Sequence, residues 1–267
     1  MLVLIRGAGD LASGIALRLW RSGFSVVMTD LPHPTAIRRT VSFSEAIRCG
    51  RTTVEEIDAC RAETAEQALA LLRVGTLPVL PDPEGKCISR LRPEVVVDAI
   101  LAKRNLGTSM EDAPVVIGVG PGFTAGEDCH AVIETMRGHT LGRALYSGAA
   151  IPNTNVPGLI GGFAGERVLR APADGIFTPL LEIGAKVKAG DVAATVAGVP
   201  VRCTIDGVLR GILPPDTVVQ KGMKSGDVDP RGAEEYCHSV SDKALAIGGG
   251  VLEAILHLTG VLYGTGH

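Results

Sequence analysis

Apolar runs that end at glycine alternate with stretches of helical periodicity along residues 1–165, a pattern that predicts strands joined by crossover helices. Leu2-Val3-Leu4-Ile5 stops at Gly7-Ala8-Gly9, the residues from Asp10 onward carry helical spacing, and Phe24 to Met28 is the next apolar run before Thr29-Asp30. The stretch reads strand, glycine turn, helix, strand. Pro32-His33-Pro34 breaks the chain, and Ser42-Phe43-Ser44-Glu45 carries an N-cap signature for a short helix ending at Gly50. Glu63 to Arg73 has helical periodicity, and Thr76 to Pro81 reads as a strand closed by proline. Val95 to Leu101 is a β-branched run suited to a buried parallel strand, followed by the polar loop Lys103 to Thr108. Pro114 to Gly126 repeats the opening theme, an apolar strand running into Gly120-Pro121-Gly122, while Asp128 to Arg143 fits helix and hairpin equally. The expectation is an α/β fold: a Rossmann-like parallel sheet with helices on both faces.

Residues 147–165 are dense in Gly, Pro and Asn and read as a boundary or an extended ordered loop. Beyond it Arg170-Ala171-Pro172-Ala173-Asp174-Gly175-Ile176-Phe177 recurs from Arg202 as Arg202-Cys203-Thr204-Ile205-Asp206-Gly207-Val208-Leu209, and Val187-Lys188-Ala189-Gly190 recurs at the same offset as Val219-Gln220-Lys221-Gly222. Short strands with Asp-Gly turns in a self-similar repeat predict a small β module with two interlocked halves. It resembles the barrel-sandwich hybrid of biotinyl and lipoyl carrier domains. In those carriers the modified lysine sits on the hairpin between the halves. Here Thr195 to Val201 contains no lysine, so the expectation is no covalent biotin or lipoate and a docking or lid role. The division that follows is 1–165, nucleotide-binding; 166–230, the β module; and 231–267, a C-terminal segment with a helix from Val251 to about Leu262 that packs back on the body. Ile247-Gly248-Gly249-Gly250 ahead of that helix reads as a hinge or an anion seat.

Composition narrows the function. The formal net charge is −3 with Lys and Arg scattered, and aromatics are few, so the footprint of a nucleic-acid binder is missing. Met1 leads straight into a strand with no secretory signal, which reads as cytoplasmic. The apolar run 247–266 carries Glu253, His257 and several glycines, and so reads as a buried helix and not as a membrane span. The six cysteines show no C-x-x-C pair, which implies reduced thiols and no metal site.

The candidate chemistry starts at the first glycine turn. Gly7 permits a tight turn, Gly9 lets backbone approach a phosphate, and Ala12 takes the third place of a G-x-G-x-x-G/A pattern, with Gly14 relieving crowding one turn on. Asp30 stands where a ribose-binding carboxylate is expected, and Asp10 departs from the pattern as a negative charge beside the phosphate seat, which in a plain reading is a helix N-cap. The same glycines also suit close helix–strand packing without a ligand. Arg38 and Arg39 are candidates for a ligand phosphate, and Gly120, Gly122 and Thr124 for the far wall of one crevice. Glu134, Arg137 and His139 crowd around a glycine and form a candidate group for proton transfer or anion binding. Cys129 beside His130 is a weaker candidate, because neighbours on a strand point to opposite faces.

Five collinear motifs, Arg6 to Ala12, Ile37 to Phe43, Gly120 to Gly126, Glu134 to His139 and Ala246 to Glu253, together resemble the YqeB family over nearly the whole chain. That resemblance implies a maturation role in the selenium-dependent molybdenum hydroxylase system. Its partners would be the molybdenum hydroxylase or its maturation proteins, and its ligand a nucleotide, a dinucleotide or the nucleotide part of molybdopterin. Two other readings stand beside it: an NAD(P)-dependent oxidoreductase using Asp30 on the ribose, and a docking scaffold whose glycine turns are structural.

Overall fold

The structure, a computed structural model, describes residues 1–154 and 156–261. It divides into two compact units, one of Met1–Pro34, Phe43–Asn153 and Val240–His267, the other of Thr35–Ser42 and Thr154–Ser239. The short segment Thr35–Ser42 thus belongs with residues more than a hundred positions further on.

The first unit is built on nine strands: β1 (Leu2–Arg6), β2 (Ser25–Thr29), β3 (Arg51–Val54), β4 (Ile57–Arg61), β5 (Leu77–Leu80), β6 (Val95–Asp98), β7 (Val115–Val119) and, after the short β8 (Thr124–Ala125), β9 (Ala131–Ile133) and β10 (Ala144–Leu145). Their order is β10-β9-β7-β6-β1-β2-β5-β4-β3. The interior pairs run parallel, and the two edge pairs, β3 with β4 and β9 with β10, run antiparallel. β8 pairs outside this sheet with β11 (Gly148–Ala149). Strands β5, β6 and β7 are buried from end to end, as continuous Val, Ile and Leu runs require when both faces are covered. The helices are α1 (Asp10–Arg21), α2 (Glu45–Cys49), α3 (Ala65–Arg73), α4 (Ile88–Leu91) and α5 (Asp242–Thr259). α1 packs on α5, α5 also reaches β7, β9 and β10, and α3 packs on β5 and β2.

This corrects the expected Rossmann-like parallel sheet joined to a barrel-sandwich hybrid. The sheet is mixed, and the connections from β6 to β7 and from β7 to β9 contain no α-helix; they hold a 3-10 turn at Met110–Asp112 and the short β8. Gly107, Pro114, Gly120, Pro121 and Gly122 crowd these connections, and glycine and proline there favour loops over crossover helices. Asp128 to Arg143 resolves toward strand and loop, with Ala144 opposite Ile133. α5 begins at Asp242, where Ser241 Oγ accepts from the Ala244 amide at 3.2 Å, so Ile247 to Gly250 lies inside the helix and is neither hinge nor helix start. Leu262 lies outside the described residues.

The second unit holds β12 (Val168–Arg170), β13 (Gly175–Pro179), β14 (Lys186–Val187), β15 (Val192–Val196), β16 (Val199–Arg202), β17 (Gly207–Ile212), β18 (Thr217–Val219) and β19 (Lys224–Asp229). They form two four-stranded antiparallel sheets, β12-β19-β17-β14 and β16-β15-β13-β18, around Phe177, Val196, Leu209, Ile212 and Val228. Each sheet takes strands from both copies of the repeat. The turn chemistry repeats with it: Asp174 Oδ1 accepts from the Lys221 amide at 2.6 Å, and Asp206 Oδ1 from the Ala189 amide at 2.8 Å. The Asp-Gly turns and the offset therefore specify paired hairpins, a chemistry common to many small β structures, and do not by themselves define a carrier domain.

Asp227 and Asp229 stand two residues apart on β19 and so share one face of their sheet. Asp227 takes Arg38 on one oxygen and Arg167 on the other, and Asp229 takes Arg210 and Arg231. Both carboxylates are buried. Arg39 donates Nε to the Ile212 carbonyl at 3.0 Å, so both arginines of the Thr35–Ser42 segment are engaged with this unit's own sheet.

Candidate functional site

β2 follows β1 on one side of the sheet, and β6 later joins it on the other. The carboxyl end of β1 is therefore a topological switch point, the place where open sheets with parallel interiors receive ligands. The chain leaves β1 through Gly7-Ala8-Gly9 and enters α1 with Gly9 as N-cap, a residue that supplies no capping side chain. A Cβ built on Gly9 meets no atom within 4 Å. The first turn of a helix has amides without intrahelical acceptors, and the dipole adds positive potential there. Gly9 thus leaves backbone donors and open space together.

The other candidates of this turn do different work. Gly7, at φ +100°, lets the Ala99 carbonyl approach; a Cβ there would stand 2.6 Å from that oxygen. Gly14 serves helix packing, since a Cβ would stand 2.5 Å from Ala244 Cβ on α5. Asp30 closes the turn: Oδ2 accepts from the Ala8 amide at 2.8 Å and Oδ1 from the Leu31 amide at 2.7 Å. Burial pushes its carboxyl up, against the pull of those two amides. With both oxygens on backbone, Asp30 holds the turn's shape. Asp10 is not the N-cap, a place Gly9 takes, but the first residue of α1, in its acidic first turn. Ser44 donates its amide to the Ala8 carbonyl at 2.9 Å, and its buried Oγ has no hydrogen-bond partner among the described residues. Sequence reading treated Ser44 only as part of a helix cap.

Gly120, Gly122 and Thr124 lie beyond β7, two strands from β1 on the same sheet edge. The connection from β6 fills the space between. A Cβ on Gly122 would stand 2.6 Å from the Arg104 amide, and one on Gly120 would stand 2.9 Å from Thr135 Oγ1 and 3.6 Å from Leu101 Cδ2. The two glycine turns therefore accommodate residues 99–104 and do not face one another across an open crevice. The Thr124 amide is held by Asp128 Oδ2 at 2.8 Å, and Asn105 reaches the same carboxylate at 3.1 Å.

Glu134, Arg137 and His139 are not joined by any bond. Glu134 is buried and accepts from the Met136 amide at 2.6 Å and the Ile151 amide at 2.8 Å, tying down the loop after β9. Arg137 forms a bidentate pair with Asp242 at 2.9 and 3.0 Å, and His139 is exposed. Each side chain has a different surrounding, so the three make no proton relay. Cys129 is buried, its Sγ lies 3.2 Å from the Ala131 carbonyl, and burial pushes its thiol up to about 11. It is kept as a neutral thiol and not a nucleophile.

One polar group of the sheet edge was not foreseen. Arg6 and Asp98, the last residues of β1 and β6, are partners in register and lie 3.6 Å apart, both almost fully buried. Thr108 bridges them, accepting from Arg6 and donating to Asp98 Oδ2 at 2.5 Å. The signal was present: each is the lone charge at the end of an apolar strand. Among the described residues no group of three or more His, Cys, Asp or Glu is placed to hold a metal ion, and no helix is long and apolar enough to cross a membrane.

The fold and this turn define an α/β protein with a bare helix N-terminus at a sheet's switch point. No family model matches the chain. It is 52% identical over 257 residues, 96% of its length, to a protein of Escherichia coli (strain K12) called "Uncharacterized protein YqeB", a match that supports the YqeB family. The chain spans 48% of that relative, about half its length. Among solved structures, an aspartoacylase family protein from Mesorhizobium loti has a TM-score of 0.28 at 12% identity, covering 85% of this chain and 84% of that one. The product-bound ectoine utilization protein of Ruegeria pomeroyi has a TM-score of 0.27 at 12% identity, covering the same shares. Nothing about fold or reaction follows from likenesses this weak.

Proposed function

We propose that this chain is an accessory factor that binds a nucleotide, or the nucleotide part of a molybdopterin cofactor, in support of a selenium-dependent molybdenum hydroxylase. The observation that carries the binding reading is Gly9: an N-cap without a side chain, open space where its Cβ would be, and a position at the switch point of the sheet. A phosphate there gains the first-turn amides and the helix dipole. The buried, unpartnered hydroxyl of Ser44 lies on the residue bonded to Ala8 and offers a further polar contact. The hydroxylase link rests on the resemblance to the YqeB family alone. A docking scaffold is the second reading, favoured by Gly7, Gly14 and Gly122, whose missing Cβ atoms make room for the protein's own backbone and side chains.

The test is a thermal-shift series with ATP, GTP, CTP, NAD, NADP and a molybdopterin dinucleotide on the parent and on Gly9→Val. A ligand at 100 times its dissociation constant stabilises by about 2.7 kcal/mol, well above detection. The parent is expected to respond to at least one ligand and Gly9→Val to none, while the unliganded variant stays folded: a Cβ there enters open space, and the poorer N-cap costs about 0.5–2 kcal/mol. No response in the parent, or an equal response in the variant, overturns the binding reading and leaves the scaffold.

A further inference from the structure

The repeat that builds the second unit matches β12 with β16, β13 with β17, β14 with β18 and β15 with β19, so positions on one sheet have counterparts on the other. On the sheet β12-β19-β17-β14, the face away from the core is charged and covered. Val208, Arg210 and Asp227 are buried there: Arg38 and Arg167 pair with Asp227, and the Tyr236 carbonyl accepts from Arg210 Nε at 3.1 Å. Their counterparts on β16-β15-β13-β18 are Ile176, Thr178 and Thr195. Ile176 is 48% exposed, and Val218, opposite it in register, is 74% exposed. Thr195 stands opposite Thr178 on one side and Pro200 on the other, and both of these are exposed. Directly opposed residues share a face, and the neighbouring Phe177, Val196 and Val219 fill the core behind it. Val218, Ile176, Thr178, Thr195 and Pro200 thus make one outward face left open to solvent.

The chemistry of that face selects its partner. Among the residues of its four strands only Arg202 is charged, and that guanidinium, at the end of β16, donates to the Gly190 carbonyl at 2.8 Å. The other sheet carries Arg170, Lys186, Arg210, Lys224, Asp227 and Asp229, and the residues that cover it bring arginines to its carboxylates. A charged face has received a charged cover. A face of Ile, Val, Thr and Pro gives a charged partner nothing to pair with and would leave its charges desolvated. Such a surface is its own electrostatic complement: a two-fold axis lays the same patch of two subunits together, here with no like charges opposed. We infer that this face pairs two copies of the chain, sheet against sheet, in a two-fold dimer.

Sedimentation equilibrium of the full chain tests this. The parent is expected to dimerise at micromolar concentration, and added salt to leave the dimer intact, because screening acts on charges that the interface lacks. Ile176→Lys and Val218→Lys each put an ammonium where the two sheets meet, and each is expected to weaken dimerisation by about tenfold or more. Val74→Lys makes the same change at an exposed apolar position of the first unit and is expected to leave dimerisation unaltered. All three positions are exposed, and melting curves check that the variants fold. A parent that stays monomeric, a dimer that dissociates in salt, or one that survives both sheet variants overturns the inference and leaves the face to a different chain. Equal weakening by Val74→Lys would mark non-specific association and overturns it too. None of these outcomes bears on Gly9, whose test reads nucleotide binding.

Discussion

Asp30 shows how one residue changes meaning between sequence and structure. Its distance from the glycine turn suggested a ribose contact, but its carboxylate is spent on the Ala8 and Leu31 amides. Asp30→Ala is therefore expected to destabilise the protein by about 1.5–3 kcal/mol with no nucleotide present, the range for hydrogen bonds to a charged group. Urea unfolding of the unliganded variant measures it; an unchanged midpoint would return Asp30 to the ligand. Glycines divide in the same way. Gly9 faces open space, whereas Gly7, Gly14, Gly120 and Gly122 each face the protein itself, and nothing in a glycine's neighbours along the chain distinguishes the two.

At the scale of the element, the glycine triplet of α5 was legible as special but not for its reason. Gly248 faces α1, where a Cβ would stand 2.8 Å from Arg18 Cγ and from the Gly14 carbonyl, and Gly250 faces the loop after β9, where a Cβ would stand 1.9 Å from the Gly142 carbonyl. Gly249 between them has no atom within 4 Å of that point. The triplet lets a helix lie close to another helix and to backbone. Gly249→Ala is expected to stabilise by about 0.5–1 kcal/mol, the gain in helix propensity. Gly250→Ala should instead destabilise by about 1–3 kcal/mol through overpacking against a carbonyl that cannot move freely. Paired thermal or urea melts decide it, and equal effects from the two substitutions would refute this account of the interface.

Across the whole molecule, pH reports on the ion pairs of the second unit. Burial raises the carboxyl of Asp227, but Arg38, Lys224 and Arg167 outweigh it and hold the group below its ordinary 3.8; Asp229 is likewise held down, by Arg231 and Arg210. A carboxyl whose pKa is lower in the folded state binds protons more readily when unfolded, so its stabilisation is present above about pH 4 and is lost as pH falls through the folded value. Asp227→Asn should cost about 3–5 kcal/mol near neutrality by leaving Arg167 and Arg38 beside a neutral group, and should flatten the acid limb of stability against pH. An acid limb identical to the parent's would show that Asp227 does not drive it. The sequence by itself determined the local elements: the strand, glycine turn and helix at the start, the short helix closed by Gly50, the all-apolar interior strands and the repeated Asp-Gly hairpins. These follow from periodicity, capping and turn chemistry, which act over a few residues. Only the tertiary structure decided the mixed sheet, the joining of Thr35–Ser42 to the second unit, the filling of the sheet edge by residues 99–104 and the buried pairing of Arg6 with Asp98. Each depends on partners far along the chain, and backbone approach, register and desolvation at such distances leave no local trace in the order of residues.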